Sequence, residues 1–241
     1  TTREVRRFVA HATSRHIDVI PEVEVFGHTR FLTDHPDYEH LFLGRKTKRL
    51  KFCAVDPFLP ETDRVMRRLI KAVADLFPSP YIHLGCDEVD LAGQAEKHGM
   101  DAATAWTDYV NRMIELARQA GKTPMLWADH LSENDDIARR LRKDVVLVEW
   151  RYSEDVTDDA LARLKRFGFR DVVVAPSLAC YKHRFLPTEQ ALENTARMAS
   201  FAKRHKTQGL INTVWCPWLY VQNAMYYGMA YSGCAVREGG H

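Results

Sequence analysis

Short apolar segments alternate with amphipathic helical segments along the whole chain. The six apolar segments begin near residues 17, 81, 124, 145, 172 and 209, and each has the length and composition of a buried strand. Strands of this kind, separated by helices, are typical of a parallel sheet that is covered on both faces and connected by right-handed crossovers. The sequence therefore predicts an α/β fold.

Polar and aromatic side chains stand at the C-terminal ends of these strands. They are Glu22, Glu24, His28, Asp87, Glu88, Trp127, Asp129, Glu149, Trp150, Tyr181, Trp215 and Trp218. Such residues at many strand ends are typical of a (β/α)8 TIM barrel, whose active site is built there. No glycine-rich turn follows the first strand, which argues against a dinucleotide-binding Rossmann fold. We therefore expect a single catalytic barrel domain over residues 1–241.

Helix signals fill the intervals between the strands. The clearest helix is predicted around the apolar stripe from Trp106 to Ala117, with Gly121 as its left-handed cap. Another helix is expected to begin at Ser132, with Asp135 at the capping-box spacing. The polar stretch from residue 27 to about residue 60 is predicted to be a long loop.

The predicted strands are fewer than a closed barrel requires. Six are found, whereas a (β/α)8 barrel has eight, and the chain begins inside a predicted helix with Thr2 as its N-cap. We therefore expect this chain to lack the first two strands and the first helix of the barrel. Because open parallel edges promote association, we also expect the chain on its own to be poorly soluble or a homo-oligomer.

Composition and charge exclude several classes of partner. Lys and Arg number 34 and Asp and Glu 32, so a net charge of +2 predicts neither a nucleic-acid nor a membrane partner. Five scattered cysteines without a C-x-x-C pair argue against a disulfide framework or a zinc site, and they favour a reducing, cytoplasmic compartment. We predict neither a metal nor a cofactor.

The stretch from Tyr81 to Val89 ends an apolar strand in two adjacent carboxylates, Asp87 and Glu88. Alternation along the strand places Asp87 above His83, for which we expect the role of a satisfied interior histidine. Two carboxylates that flank a glycosidic bond normally come from different elements. An adjacent pair suits a substrate-assisted reaction, in which Glu88 is the general acid/base and Asp87 holds the substrate group that supplies the nucleophile.

Three of the five tryptophans, Trp127, Trp150 and Trp215, fall at the ends of successive strands, where a barrel core would prefer aliphatic residues. Aromatic walls bury the apolar face of a sugar or the methyl group of an N-acetyl substituent. The tryptophans therefore favour a carbohydrate pocket.

Two motifs in combination carry a family resemblance. The segment His83-x-Gly85-x-Asp87-Glu88-Val89, together with Ile20-Pro-Glu-Val-Glu-Val-Phe-Gly-His28, resembles glycoside hydrolase family 20, the β-N-acetylhexosaminidases, and is most similar to the hexosaminidase D type. The resemblance implies a retaining enzyme that hydrolyses terminal N-acetylhexosamine, GlcNAc or GalNAc, through an oxazolinium intermediate and without a cofactor. An N-acetylhexosamine-containing glycoside is then the expected partner.

The resemblance also implies individual roles. Glu88 resembles the general acid/base of the family, and Asp87 the residue that orients the 2-acetamido group. The implied substrate-binding residues are His28, Glu24, Trp127, Asp129, Trp150, Tyr181, Trp215 and Trp218, with His28 pairing with the acid/base and Asp129 fitting a W-x-D/E pattern. The chain departs from the family at Pro217, where many members carry a carboxylate.

Two other readings of the same residues remain open. Carboxylates from successive strands could hold a divalent metal, as in barrels of the enolase or isomerase type; the candidates are Glu22 or Glu24, Asp87 or Glu88, Asp129 and Glu149. Alternatively, the barrel could retain its aromatic pocket and bind carbohydrate without turnover.

Overall fold

The computed structural model describes residues 1–43, 53–179, 188–215 and 222–239. These residues form two compact units, Thr1–Val145 and Val146–His241, and each is described by itself. Strands pair in parallel and alternate with helices in both units, which confirms the predicted α/β class. No helix within the described ranges is both long enough and apolar enough to span a membrane.

Three long helices form much of the first unit: α1 (Thr2–Thr13), α3 (Pro60–Leu76) and α5 (Ala102–Gln119). Helix α1 begins with a capping box in which Thr1, rather than the expected Thr2, is the N-cap. The predicted stripe of α5 is buried, which confirms it as core, and Gly121 follows the helix with a φ of +77°.

Two parallel strands of the first unit lead to the predicted carboxylates. Strand β1 (Tyr81–His83) pairs with β2 (Thr123–Trp127), with Tyr81 opposite Thr123. The strand expected over residues 17–25 is reduced to a single bridge between Glu22 and His83, so this prediction was wrong in extent. Backbone hydrogen bonds continue beyond the bridge, from the Val23 N–H to the His83 carbonyl and from the Val25 N–H to the Leu84 carbonyl.

Short helices occupy the remainder of the first unit: α2 (Arg30–Thr33), α4 (Ala92–Ala95), α6 (Asp129–Glu133) and α7 (Asp135–Arg140), with 3-10 turns at Pro36–Leu41 and Glu96–His98. The predicted loop after residue 27 therefore contains helical turns. Ser132 is not an N-cap but lies inside α6. Asn134 caps α7 instead, because its side chain accepts hydrogen bonds from the backbone of the first helical turn.

The second unit contains two groups of parallel strands. Strand β4 (Val172–Ala175) pairs on one side with β3 (Val146–Trp150) and on the other with β6 (Gly209–Leu210). The predicted strand from residue 209 to 215 is divided, and its second part, β7 (Thr213–Val214), pairs with β5 (Ser177–Ala179). The helices are α8 (Asp159–Arg166), α9 (Glu189–Arg204) and α10 (Met225–Glu238).

Candidate active site

A turn in the left-handed backbone region follows β1 directly. Gly85, Cys86 and Glu88 have φ angles of +68°, +74° and +52°. For residues other than glycine this conformation costs about 1–2 kcal/mol each, and such strain concentrates at functional sites. His28, at the end of the other family motif, also has a positive φ, of +50°. Both motifs therefore contain strained backbone.

Two glycines allow the motifs to approach each other closely. A Cβ atom at Gly27 would overlap the backbone oxygen of Asp87, and a Cβ atom at Gly85 would overlap the carboxyl group of Glu24. Each glycine therefore makes room for a group from the other motif. The side chain of Glu24 is thereby placed beneath the turn.

The first two backbone N–H groups of the turn donate hydrogen bonds to side chains. The Gly85 N–H donates to His83 Nδ1 at 3.1 Å, and the Cys86 N–H donates to Glu24 Oε2 at 3.3 Å. His83 is buried, and burial lowers its pKa to about 4, so the ring is neutral at physiological pH and can accept. His83 is thus an interior histidine, as the sequence predicted, but it is only half satisfied, because its buried Nε2 has no hydrogen-bond partner among the described residues.

The other end of the turn is held from the segment that follows β2. The Glu88 N–H donates to Asp129 Oδ2 at 3.0 Å, and the Val89 N–H donates to His130 Nε2 at 3.0 Å. Asp129 is buried, and its Oδ2 atom is the one that contacts the backbone N–H of Glu88. Sequence reasoning missed His130, although its position next to Asp129 at a strand end was a usable signal.

His28 joins the two adjacent carboxylates. Its Nε2 lies 3.2 Å from Glu88 Oε2 and 3.4 Å from Asp87 Oδ2, so the pairing expected of His28 with Glu88 is present. The Asp87 side chain is 15% exposed and that of Glu88 34% exposed. Glu88 is thus the more accessible of the two carboxylates to a ligand.

The electrostatic environment favours protonated groups. Burial, followed by the charge of Asp87, raises the pKa of Glu88, whereas His28 acts in the opposite direction. A hydrogen bond with Asp87 is the largest cause that raises the pKa of His28. Burial raises the pKa of Asp129, and together with the charge of Asp87 it raises that of Glu24 to about 10. A carboxylic acid and an imidazolium can therefore coexist at this site.

An aromatic and acidic layer lies below the turn. The Trp127 indole N–H donates to Glu22 Oε1 at 2.9 Å, and its ring centroid lies 4.4 Å from that of His83. Glu22 Oε1 is also 3.5 Å from His83 Nδ1. Glu22, which the sequence placed at a strand end and offered as a candidate metal ligand, orients Trp127 directly in the structure.

The remaining predicted site residues fall in the second unit or outside the described ranges. Trp150 and Tyr152 have ring centroids 5.2 Å apart, and the Trp215 indole N–H donates to the Tyr152 hydroxyl at 2.8 Å. The structure thus brings Trp150 and Trp215 together around Tyr152, which was not predicted. Tyr181, Pro217 and Trp218 lie outside the described residues.

Three side chains are close enough to one another to hold a cation. His28, Asp87 and Glu88 each offer a ligand atom, and these atoms lie within 4.8 Å of one another. The same short distances suit a group that exchanges protons between the imidazole and the two carboxylates, which is the role that the family resemblance implies.

Comparison with known sequences finds relatives that are longer than this chain. A β-hexosaminidase of Vibrio furnissii is 29% identical over 75% of this chain and 30% of its own length. Hexosaminidase D of Homo sapiens is 25% identical over 88% of this chain and 48% of its own length. The chain therefore spans about a third to a half of these two relatives.

Comparison with solved structures identifies similar folds. An exo-β-N-acetylglucosaminidase of glycoside hydrolase family 20 from Vibrio harveyi, solved in complex with N-acetylglucosamine, matches with a TM-score of 0.74 and 23% identity, over 99% of this chain and 41% of that one. Another β-N-acetylhexosaminidase matches with a TM-score of 0.72 and 19% identity, over 100% of this chain and 55% of that one. At these identities the likeness concerns the fold.

The sequence signature of a family covers both units. It is described as "Glycosyl hydrolase family 20, catalytic domain" and matches residues 1–218. The match includes both motifs, the left-handed turn and the tryptophans at the strand ends. The chain belongs to glycoside hydrolase family 20.

Proposed function

We propose that the protein is a retaining β-N-acetylhexosaminidase that hydrolyses terminal N-acetylhexosamine from glycosides by substrate-assisted catalysis. The observation that carries the proposal is the pair Asp87 and Glu88 on one strained turn, with His28 in contact with both. The names of the relatives, β-hexosaminidase and Hexosaminidase D, support the same substrate class.

In this mechanism Glu88 supplies the proton. Its raised pKa keeps a protonated fraction available, and its partial exposure leaves room for the glycosidic oxygen. As Glu88 protonates that oxygen, the C–O bond to the leaving group breaks. The acetamido oxygen of the substrate then attacks the anomeric carbon from the other face, and an oxazolinium ion forms.

Asp87 and His28 complete the cycle. Asp87 is the less exposed carboxylate, and it would accept a hydrogen bond from the acetamido N–H and balance the positive charge of the oxazolinium. Glu88, now ionised, removes a proton from water as the water attacks the anomeric carbon and opens the ring. His28 stabilises that ionised state, since its imidazolium lies 3.2 Å from Glu88.

We also propose that both units belong to one catalytic (β/α)8 barrel domain. Support comes from the family signature, which extends over residues 1–218, and from the parallel strand pairs in each unit. The assignments of Glu24, Trp127, Trp150, Tyr181, Trp215 and Trp218 to sugar binding stay predictions, as does a homo-oligomer.

The test is hydrolysis of an aryl N-acetyl-β-glucosaminide by the intact protein. We expect turnover with retention of the anomeric configuration, detected by NMR, and inhibition by a thiazoline that mimics the oxazolinium. Glu88→Gln should lower kcat/KM by about 10²–10⁴-fold, the usual contribution of a general acid/base. Asp87→Asn should also lower it, because the amide carries no charge to balance the oxazolinium.

A matched control is available on α3. Glu61 is partly exposed and lies 3.1 Å from His40, so Glu61→Gln removes the same kind of carboxylate–histidine contact as Glu88→Gln does. We expect its kcat/KM to equal that of the parent. Absence of turnover by the folded parent would defeat the proposal and favour a carbohydrate-binding barrel, and a Glu88→Gln variant as fast as the parent would refute the assigned acid.

A further inference from the structure

Two consecutive residues at the start of α6 accept hydrogen bonds from two consecutive backbone N–H groups of the turn. Asp129 Oδ2 accepts the Glu88 N–H, and His130 Nε2 accepts the Val89 N–H, both at 3.0 Å. Forty-one positions separate donor from acceptor in each case, so these bonds depend on the tertiary structure. Two neighbouring attachments restrict the rotation of the peptide between Glu88 and Val89 more than one would.

The two hydrogen bonds lie at a residue whose backbone conformation is strained. Glu88 has a φ of +52°, which a glutamate avoids unless surrounding groups hold it there. Asp129 is only 8% exposed, so water competes little for its carboxylate, and a hydrogen bond from an N–H to a carboxylate is stronger than one between neutral groups. The His130 ring packs against Trp106, with centroids 5.0 Å apart, which orients its Nε2.

We propose that Asp129 and His130 are positioning residues that fix the acid/base Glu88 through its backbone, and that Asp129 serves this purpose rather than sugar binding. The proposal rests on the proposed function for the role of Glu88. It assigns no contact between Asp129 or His130 and the substrate. Their effect on the reaction passes through the direction in which the Glu88 side chain points.

The charge of Asp129 provides a second readout. Burial and the carboxylates of Asp87 and Asp129 raise the pKa of Glu88, and His28 lowers it. Removing the negative charge of Asp129 therefore lowers the pKa of Glu88. Since the enzyme needs protonated Glu88 for the first step, the basic limb of the kcat/KM profile would move to lower pH.

The primary test measures backbone amide exchange of the full chain by NMR, at single-residue resolution and without substrate. Asp129→Leu removes the acceptor, and we expect faster exchange at the Glu88 amide. Asp129→Asn keeps an oxygen that can accept and should leave that exchange near the parent rate. His130→Phe preserves the ring against Trp106 and should accelerate exchange at Val89.

Kinetics on the aryl substrate provide the second arm. Asp129→Leu should lower kcat by about 100-fold, the size of effect that a misplacement near 1 Å can cause, while KM changes by less than about threefold. Asp129→Asn should retain most of kcat at its own optimum, with the basic limb at lower pH.

Asp101→Leu is the matched control, because Asp101 also accepts a backbone N–H, from Thr104 at 2.8 Å. It should accelerate exchange at Thr104 and leave both Glu88 exchange and kcat unchanged. Unaltered Glu88 exchange in a folded Asp129→Leu variant would overturn the proposal, and so would an Asp129→Asn variant that loses as much kcat as Asp129→Leu. Altered exchange in a protein whose parent shows no turnover would instead count against the proposed function.

Discussion

The carboxylates at the turn after β1 and the paired carboxylates of the second unit have different partners. In the second unit, Glu149 is buried beside Arg151 at 3.0 Å, and Asp158 pairs with both Arg204 and His205. In the described part of the first unit, Asp87 and Glu88 lie beside His28, and buried Glu24 receives a backbone N–H. The pKa of Asp158 is lowered by its partners, whereas burial raises the pKa of Glu24, Glu88 and Asp129.

This difference in the partners of the carboxylates shows which part of the molecule is less stable in exchange for reactive groups. A buried carboxylate without a strong cationic partner costs free energy, and so does a left-handed residue other than glycine. Both costs occur together at the turn from residue 85 to 88 and its neighbour Glu24. In the second unit, Lys206 also has a positive φ, of +50°, whereas the pKa of Asp158 is lowered by its partners.

The largest expected effect is the loss of stability when Gly85 is replaced by alanine, compared with the same replacement at Gly168. Gly85→Ala should lower the free energy of unfolding by about 2–5 kcal/mol, because the new methyl group meets the Glu24 carboxyl in addition to the backbone strain. Gly168, in the second unit, has a φ of +87° and open space around it, so Gly168→Ala should cost only about 1–2 kcal/mol. Urea unfolding of both variants measures the difference. Equal losses would show that close packing at the turn is unimportant.

The next effect is a stability change that depends on pH. The pKa of Glu24 is about 10 in the folded protein, above its ordinary value of 4.5, so the folded state binds the extra proton between these values. The free energy of unfolding therefore falls as pH rises through that window. Glu24→Gln should remove this slope and raise Tm at pH 8 by several degrees, where 1 kcal/mol corresponds to about 2–4 °C.

Asp158→Asn in the second unit should change the pH dependence of stability in the opposite direction to Glu24→Gln. The hydrogen bond with His205, and then that with Arg204, lowers the pKa of Asp158 in the folded protein. Its contribution is present above the unfolded-state pKa and is lost as pH falls through the folded-state value. The variant should therefore have a lower Tm than the parent at pH 7, with a difference that disappears in acid. A Glu24→Gln variant that behaves like Asp158→Asn would contradict the contrast between the units.

The smallest expected effect concerns the aromatic cluster of the second unit. Tyr152→Phe removes the hydroxyl that accepts the Trp215 N–H, and because Trp215 is partly exposed we expect a loss of about 0.5–1 kcal/mol in the free energy of unfolding. If the predicted role of Trp215 in sugar binding is correct, KM should rise while kcat stays close to that of the parent. A fall in kcat alone would place Tyr152 in the chemistry instead.

Much of the site could be predicted from particular residues. Sequence spacing predicted the buried stripe of α5 and the parallel strands, and the family resemblance implied the pairing of His28 with Glu88. It did not predict that the strand expected over residues 17–25 is reduced to one bridge, because strand pairing depends on a partner that is distant in the sequence. It also missed the left-handed conformation of Glu88, because local preferences of glutamate oppose it.

The amino-acid sequence by itself determined the alternation of strands and helices, the adjacent carboxylates Asp87 and Glu88, and the glycines that give them room. These features are encoded by local period and residue type. Only the tertiary structure decided that Asp129 and His130 bind the backbone of the turn, and that Glu24 is buried beneath it, where burial raises its pKa. The reason is physical: a backbone N–H is the same at every residue, so its partner depends on which groups folding brings near.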